Sequence, residues 1–241
     1  MTPAGDPWPP PAAGAPLAVL VSGGLDSAIL LAEALAVYPA VYPIFVRVGS
    51  FWEDAEFAHL ERFLDAVRSP NLKPCVELAQ PVDDLYGRHW SMTGENVPAR
   101  FTPDEDVYLP GRNVMLLAKP LVWCHLNGVP ELATAPLAIN PFPDATPEFY
   151  DGFARLVSRA IDGNVRVLRP YAAMGLHKVD VLRRGIRFPL RHTFSCIRPA
   201  NGLHCGACSK CGERIRGFAD AGLTDPTEYA STPDERGARP N

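Results

Sequence analysis

The stretch Ser22-Gly23-Gly24-Leu25-Asp26-Ser27 constrains this chain more than any other. An apolar run, Leu17 to Val21, precedes it and reads as a buried strand. Ala28 to Val37 follows, apolar but for Glu33, and reads as a buried helix. Strand, glycine loop and helix in that order aim backbone N–H groups and the positive end of a helix at an anion. Two adjacent glycines allow a sharp turn and leave no Cβ to hold a phosphate off the backbone. Ser22 and Ser27 supply hydroxyl donors, and Asp26 is a carboxylate of the kind that holds hydrated magnesium. A plain serine-capped helix after a glycine turn needs one glycine and one cap, and does not need this hexapeptide.

The rest of the composition sets bounds. A chain of 241 residues with 47% hydrophobic content can build one large domain, or a domain with a small appendage. A net charge of −4 gives no general attraction to nucleic acid. No apolar run reaches membrane length and no charged-then-apolar leader pattern opens the chain, so a cytoplasmic protein is expected. Residues 1–16, rich in Pro, Ala and Gly, are predicted to be flexible.

In chain order, Val41 to Val48 reads as a second strand, with Pro43 near its start. Strand, helix, strand implies a parallel unit, whose ligands lie beyond the C-terminal strand ends. Residues Val46 to Gly49 therefore lie beside the loop, as core or against an adenine. Glu53 to Val67 is predicted to be an amphipathic helix with Phe57, Leu60, Leu64 and Val67 inward and His59 on the solvated face. Leu72 to Leu78 reads as a third strand, with Cys75 a small core residue. Residues 80–106 read as a loop with short helices, a length suited to a lid.

A second signal is Tyr108-Leu109-Pro110-Gly111-Arg112-Asn113, before the largely apolar helix Val114 to Asn127. Arg112 can clamp a phosphate or carboxylate bidentately, and Asn113 can read a polar edge; a turn with a helix cap is the plain alternative. Pro120 predicts a kink, and Cys124 and His125 are expected in the core. Glu131 to Ala135 reads as a fourth strand. Thr146 reads as an N-cap with Pro147 at the first helical position, Phe149, Phe153, Leu156, Val157 and Ala160 as the buried face, and Gly163 as the stop. Asn140 and Asp144, in the proline-rich loop before this helix, can face a small substrate. Val165 to Leu168 reads as a short strand. His177 to Arg184 reads as a helix ended by Gly185, with Lys178 at its start in reach of phosphates or of solvent.

The third signal is Cys196, Cys205, Cys208 and Cys211, spaced C-x8-C-x2-C-x2-C. A C-x2-C pair bends back so that both sulfurs reach one ion, and four thiolates complete a tetrahedral zinc site. Such a closed site folds its segment and leaves no position for a reacting water. A redox pair or an iron–sulfur cluster is the rival reading; His192 and His204 are expected to support the site, not to ligate.

The six-residue loop resembles the PP-loop of N-type ATP pyrophosphatases, which implies ATP cleavage between the α- and β-phosphates and an adenylated substrate. Together with Leu-Pro-Gly-Arg-Asn and the closing segment Ser195 to Phe218, it resembles the 7-cyano-7-deazaguanine synthase (QueC, or ExsB) family over about 17–223. The resemblance implies a parallel α/β domain of the adenine nucleotide alpha hydrolase type over 17–190, a zinc element over 191–223 and a tail over 224–241. It implies ATP and Mg2+ as cofactors, structural Zn2+, and a homodimer. On this reading Ser22, Gly23, Gly24, Leu25, Asp26 and Ser27 are expected to hold ATP, with Asp26, Ser27 and Lys178 as the catalytic candidates. Arg112, Asn113 and Lys178 are expected to contact phosphate or substrate, and Asp144 to contact substrate. The implied reaction adenylates 7-carboxy-7-deazaguanine, forms an amide with ammonia, and converts it to the nitrile. One stretch departs. An Asp-x-Ser-Gly-Tyr-Pro-Asp-Cys-Arg-like segment typical of the family is matched here by Asn140 to Phe149, which keeps Pro143-Asp144 and Pro147-Glu148-Phe149 but has Ala145-Thr146 in place of Cys-Arg, and Thr134-Ala135-Pro136 lacks the family's glycine. Three readings therefore stay open beside the first: a ligase for a related carboxylate, transfer to another nucleophile such as a protein or RNA, and a non-catalytic nucleotide-binding partner. A tRNA-thiolating enzyme of the same superfamily needs a reactive cysteine near the loop and an RNA-binding domain, and neither is evident.

Overall fold

The computed structural model describes residues 14–231, so most of the expected flexible N-terminus and residues 232–241 of the tail lie outside the described residues. Five parallel strands form one sheet in the order β3-β2-β1-β4-β5. They are β1 (Leu17–Leu20), β2 (Val41–Arg47), β3 (Val76–Ala79), β4 (Glu131–Ala133) and β5 (Arg166–Leu168). Strands are added outward on one side of β1 and then on the other. The order reverses between β1 and β4, and their C-terminal ends open a crevice there.

Alternate residues of β1 feed two cores. Leu17 and Val19 pack with α1 (Leu25–Val37), α2 (Glu53–Ala66), α8 (Lys178–Gly185) and α9 (Ser209–Ala221). Ala18 and Leu20 pack on the other face with α5 (Arg112–Leu126) and α6 (Pro147–Ala160). A strand between two helical layers is apolar on both sides, which is why Leu17 to Val21 shows no alternation. Glu33, 5% exposed, is the exception in α1; it accepts from Arg184 Nε at 2.7 Å and from the Tyr171 hydroxyl at 3.0 Å. Pro43 lies inside β2. Its missing donor falls on the β3 side, where Val41 bonds Asn71 and Lys73 but the ladder resumes only at Ile44 and Val76. The third strand is accordingly shorter than the Leu72 start implied.

The segment between β3 and α5 holds α3 (Asp83–Tyr86), α4 (Trp90–Thr93) and a 3₁₀ turn at Asp104–Val107. The short α7 (Pro170–Ala173) links β5 to α8. Helix α5 runs through Pro120 as one element.

Three expectations are corrected. His59 is buried, packed at a tilt against Phe194 with ring centroids 4.8 Å apart and hydrogen-bonded to Gly202 O. His125 is exposed while Cys124 is buried. The inward face of α6 is centred on Tyr150 and Ala154; Leu156 is 64% exposed and Ala160 is exposed too.

Thr146 caps α6, its hydroxyl accepting from Phe149 N at 3.2 Å, with Pro147 at the first position. Replacing Thr146 with alanine is expected to lower unfolding free energy by about 1 kcal/mol. Chemical denaturation reads this directly, and an unchanged midpoint would show that the cap contributes nothing.

Candidate active site

The crevice at the strand-order reversal is a cavity of about 400 Å³. Its walls come from the ends of β1 and β2, the start of α2, the start of α5, the stretch after β4, and residues of α8 and α9. The loop Ser22 to Ser27 forms its floor.

The loop owes its shape to its glycines and serines. Gly23 has φ +78, and a Cβ there would lie 2.8 Å from Glu56 O. Ser22 N donates to Ser27 Oγ at 3.2 Å and Gly24 N to Ser22 Oγ at 3.3 Å, so the hydroxyls tie the turn. Gly24 is the N-cap of α1 and supplies no side-chain acceptor. The first-turn N–H groups of α1 therefore face the cavity without a protein cap, as an anion site requires.

Asp26 sits in that first turn. Its Oδ2 accepts from Lys178 Nζ at 2.6 Å, and its Oδ1 is buried with no partner. An orphaned buried carboxylate oxygen beside a helix N-terminus fits a divalent cation carried in with a phosphate. Lys178 also lies 3.0 Å from Glu213 Oε1, and Lys210 lies 2.8 Å from Glu213 Oε2. Burial opposes the charge on Lys178, but Asp26 and Glu213 raise its pKa above the usual lysine range. Burial likewise opposes the charge on Glu213, and the two lysines outweigh it and hold the carboxyl at about 2. The result is a fixed run of alternating charge from α9 to the loop.

On the α5 side, Asp144 and Asn113 are locked together. Asn113 N donates to Asp144 Oδ2 at 2.9 Å, and Asn113 Nδ2 donates to Asp144 O at 2.8 Å. Asp144 is buried and caps α5, while both residues still line the cavity. Arg112, on an exposed position, stands at the rim near Glu56. Tyr108 and Phe142 stack with centroids 5.0 Å apart in the same wall.

The four cysteines converge as the spacing implied. Their sulfurs lie within 4.8 Å of one another. Cys205 Sγ to Cys211 Sγ is 4.0 Å and Cys208 Sγ to Cys196 Sγ is 3.9 Å. A tetrahedral ion with metal–sulfur bonds of about 2.3 Å needs sulfurs about 3.8 Å apart, so the set fits zinc. Backbone N–H groups of Arg198 and Cys205 point at Cys196 Sγ, and that of Cys211 points at Cys208 Sγ, which suits thiolates. His204 is buried and takes Ser195 N on its Nε2 at 3.0 Å, a supporting role. The cysteine segment also touches the loop directly, Phe194 N donating to Gly23 O at 2.7 Å. Residues 224–231 close over it, with Ala230 N bonded to His204 O at 2.7 Å.

The structure thus brings Ser22, Gly24, Leu25, Asp26, Ser27, Arg112, Asn113, Asp144 and Lys178 to one cavity. It adds residues the sequence did not single out: Glu53, Glu56, Ser195, Lys210, Glu213 and Arg214. Glu213 had one available signal, its place two residues after Cys211 on a helix whose start the cysteines fix.

A parallel α/β fold with an uncapped, glycine-turned helix start at the strand-order reversal fits a nucleotide-binding site of the PP-loop type. Residues 17–222 match the model of a family described as queuosine biosynthesis protein QueC. A 7-cyano-7-deazaguanine synthase of Xanthomonas oryzae pv. oryzae is 34% identical over 224 residues, 88% of this chain and 96% of its own. Proteins of the same name from Methanothrix thermoacetophila (33%, covering 87% and 96%) and Syntrophobacter fumaroxidans (29%, covering 88% and 94%) are similar over the same extent. The chain belongs to the QueC family.

Proposed function

We propose that the protein is a 7-cyano-7-deazaguanine synthase. It adenylates the carboxylate of 7-carboxy-7-deazaguanine, passes the acyl group to ammonia, then activates the amide oxygen and releases it to leave the nitrile. The observation that carries this reading is the set of groups around Asp26. The open N–H groups of α1 and the Lys178 ammonium face the place where pyrophosphate must build up negative charge. Asp26 Oδ1 is the atom that would hold magnesium there; the ion, when bound, neutralises the departing pyrophosphate. A carboxylate is a poor electrophile, and adenylation gives it a leaving group. Arg112 steers the anionic substrate at the rim, and the Asn113–Asp144 pair shapes the wall that receives the heterocycle.

The altered stretch leaves the described wall of the site continuous. Thr146 is spent capping α6 and Ala145 packs into the core, whereas Asn140, Phe142 and Asp144 supply the cavity wall. The two replaced residues therefore belong to the helix start and not to the described wall of the site.

The test is purified protein with ATP, magnesium, ammonium and 7-carboxy-7-deazaguanine, read by mass spectrometry. AMP and the nitrile are expected. ATP binding by folded, zinc-loaded protein without AMP or any adduct of this acid would sink the proposal and favour another acid or nucleophile.

A further inference from the structure

We propose that Glu56 is the group that takes the proton from the ammonium ion that attacks the acyl-adenylate, a role that rests on the amide-forming step proposed above. Five carboxyl residues line the described cavity: Asp26, Glu53, Glu56, Asp144 and Glu213. Four are already engaged. Asp26 pairs with Lys178, and Glu213 pairs with Lys178 and Lys210. Asp144 caps α5 through Asn113 N. Glu53 Oε1 accepts from Val48 N at 2.6 Å and Gly49 N at 3.0 Å, which staples the end of β2. Glu56 makes no ion pair within 4.0 Å among the described residues and has the Trp52 side chain as its hydrogen-bond partner. Its position is suited to the chemistry, since a Cβ on Gly23 would fall 3.3 Å from Glu56 Cγ. The stem of Glu56 therefore packs against the loop, and its side chain lines the same cavity as Asp26 and Lys178.

The groups around it set its proton affinity. Burial raises it, Arg112 at the start of α5 lowers it, Glu53 one turn earlier on α2 raises it, and the Trp52 hydrogen bond lowers it. The outcome is a carboxyl pushed up to about 8. A base of that strength exchanges protons with ammonium far better than an ordinary carboxylate does, and it is still partly ionised near neutral pH. In the step, the Glu56 carboxylate takes one proton from the ammonium ion. The freed nitrogen lone pair forms the C–N bond to the acyl carbon. The C–O bond to AMP breaks with its electron pair, and the second surplus nitrogen proton leaves on the AMP phosphate.

Hydroxylamine separates this role from a structural one, because it arrives neutral near pH 7 and needs no such base. Wild type, Glu56→Gln and Glu56→Asp are each given the acid, ATP and magnesium with ammonium or with hydroxylamine, and amide and hydroxamate are counted by mass spectrometry. The amide-to-hydroxamate ratio is expected to fall on the order of 10²-fold in Glu56→Gln and to recover partly in Glu56→Asp. At constant free ammonia, the wild-type amide rate is expected to bend at about pH 8, and the bend to vanish in Glu56→Gln. An unchanged ratio with the bend retained would overturn the role. Should Glu56→Gln fail to fold, an unchanged ratio and bend in Glu56→Asp would overturn it equally. A wild type that makes neither product would overturn the functional reading itself, and this role with it.

Discussion

Asp26→Asn is expected to lower ATP-dependent pyrophosphate exchange on the order of 10³-fold while leaving the fold in place. The two effects part because the side chain does two jobs with two oxygens. Oδ2 accepts from Lys178 Nζ, and an asparagine oxygen can still accept there. Oδ1 is buried without a partner, so it contributes nothing to the fold as it stands. What asparagine removes is the negative charge needed beside the magnesium-bound phosphates, and with it the balance on Lys178. That ammonium would then be shared by Glu213 alone and drawn toward α9. The thermal midpoint is expected to move by no more than a few degrees, since the net change in burial and hydrogen bonding is worth about 1 kcal/mol. Exchange within tenfold of wild type would show that Asp26 is a structural partner of Lys178 and no more.

The parts of this site visible in the sequence are those written in contiguous residues. The PP-loop carries its own turn, donors and carboxylate in six positions, the four cysteines declare one cluster by spacing, and Thr146-Pro147 announces a helix start. Each is a local arrangement, so no knowledge of the rest of the chain is needed to read it. What was hidden depends on pairings across long separations. His59 looks solvated on its own helix because the residues that cover it, Phe194 and Gly202, come more than a hundred positions later. Glu56 has the same spacing as a surface acid on α2, and only the approach of the loop and of Arg112 makes it a cavity group. Helix α6 carries its apolar residues on one broad face of about 160°, from Leu156 to Ala154, and spacing alone does not say which edge of that face is covered. The choice falls to Tyr150, whose hydroxyl meets Asn113 Nδ2 at 3.4 Å and whose ring lies under Arg169. Lys178 was legible only as a lysine at a helix start, in reach of phosphates or of solvent; the Glu213 that holds it beside Asp26 belongs to the cysteine helix.

That link makes the cysteine cluster the place where a single change should reach furthest. Cys211→Ser is expected to abolish stoichiometric zinc, lower the thermal midpoint by roughly 10 °C or more, and weaken ATP binding at least about tenfold. Cys211 is fully buried, and with Cys208 it sets where α9 begins. From that helix come Glu213, which holds Lys178, Lys210, which pairs with Glu213, and Arg214, 1% exposed. Arg214 donates to Thr193 Oγ1 at 2.9 Å, Ser195 Oγ at 3.3 Å and Leu190 O at 3.1 Å. Burial disfavours the charge of that guanidinium and Asp225 favours it, so disrupting this network would leave a buried charge uncompensated. The same segment supplies the Phe194 N–H that fixes Gly23 O. Losing the ion should therefore loosen the loop's backbone and the Lys178 pair together, although no cysteine sulfur is among the groups that line the cavity. Metal analysis, calorimetric ATP titration and a melting curve on the same preparation test this jointly. Zinc-free protein that melts and binds ATP like wild type would show that the cluster and the nucleotide site are independent, and that α9 is held in place by packing against α8 without the metal.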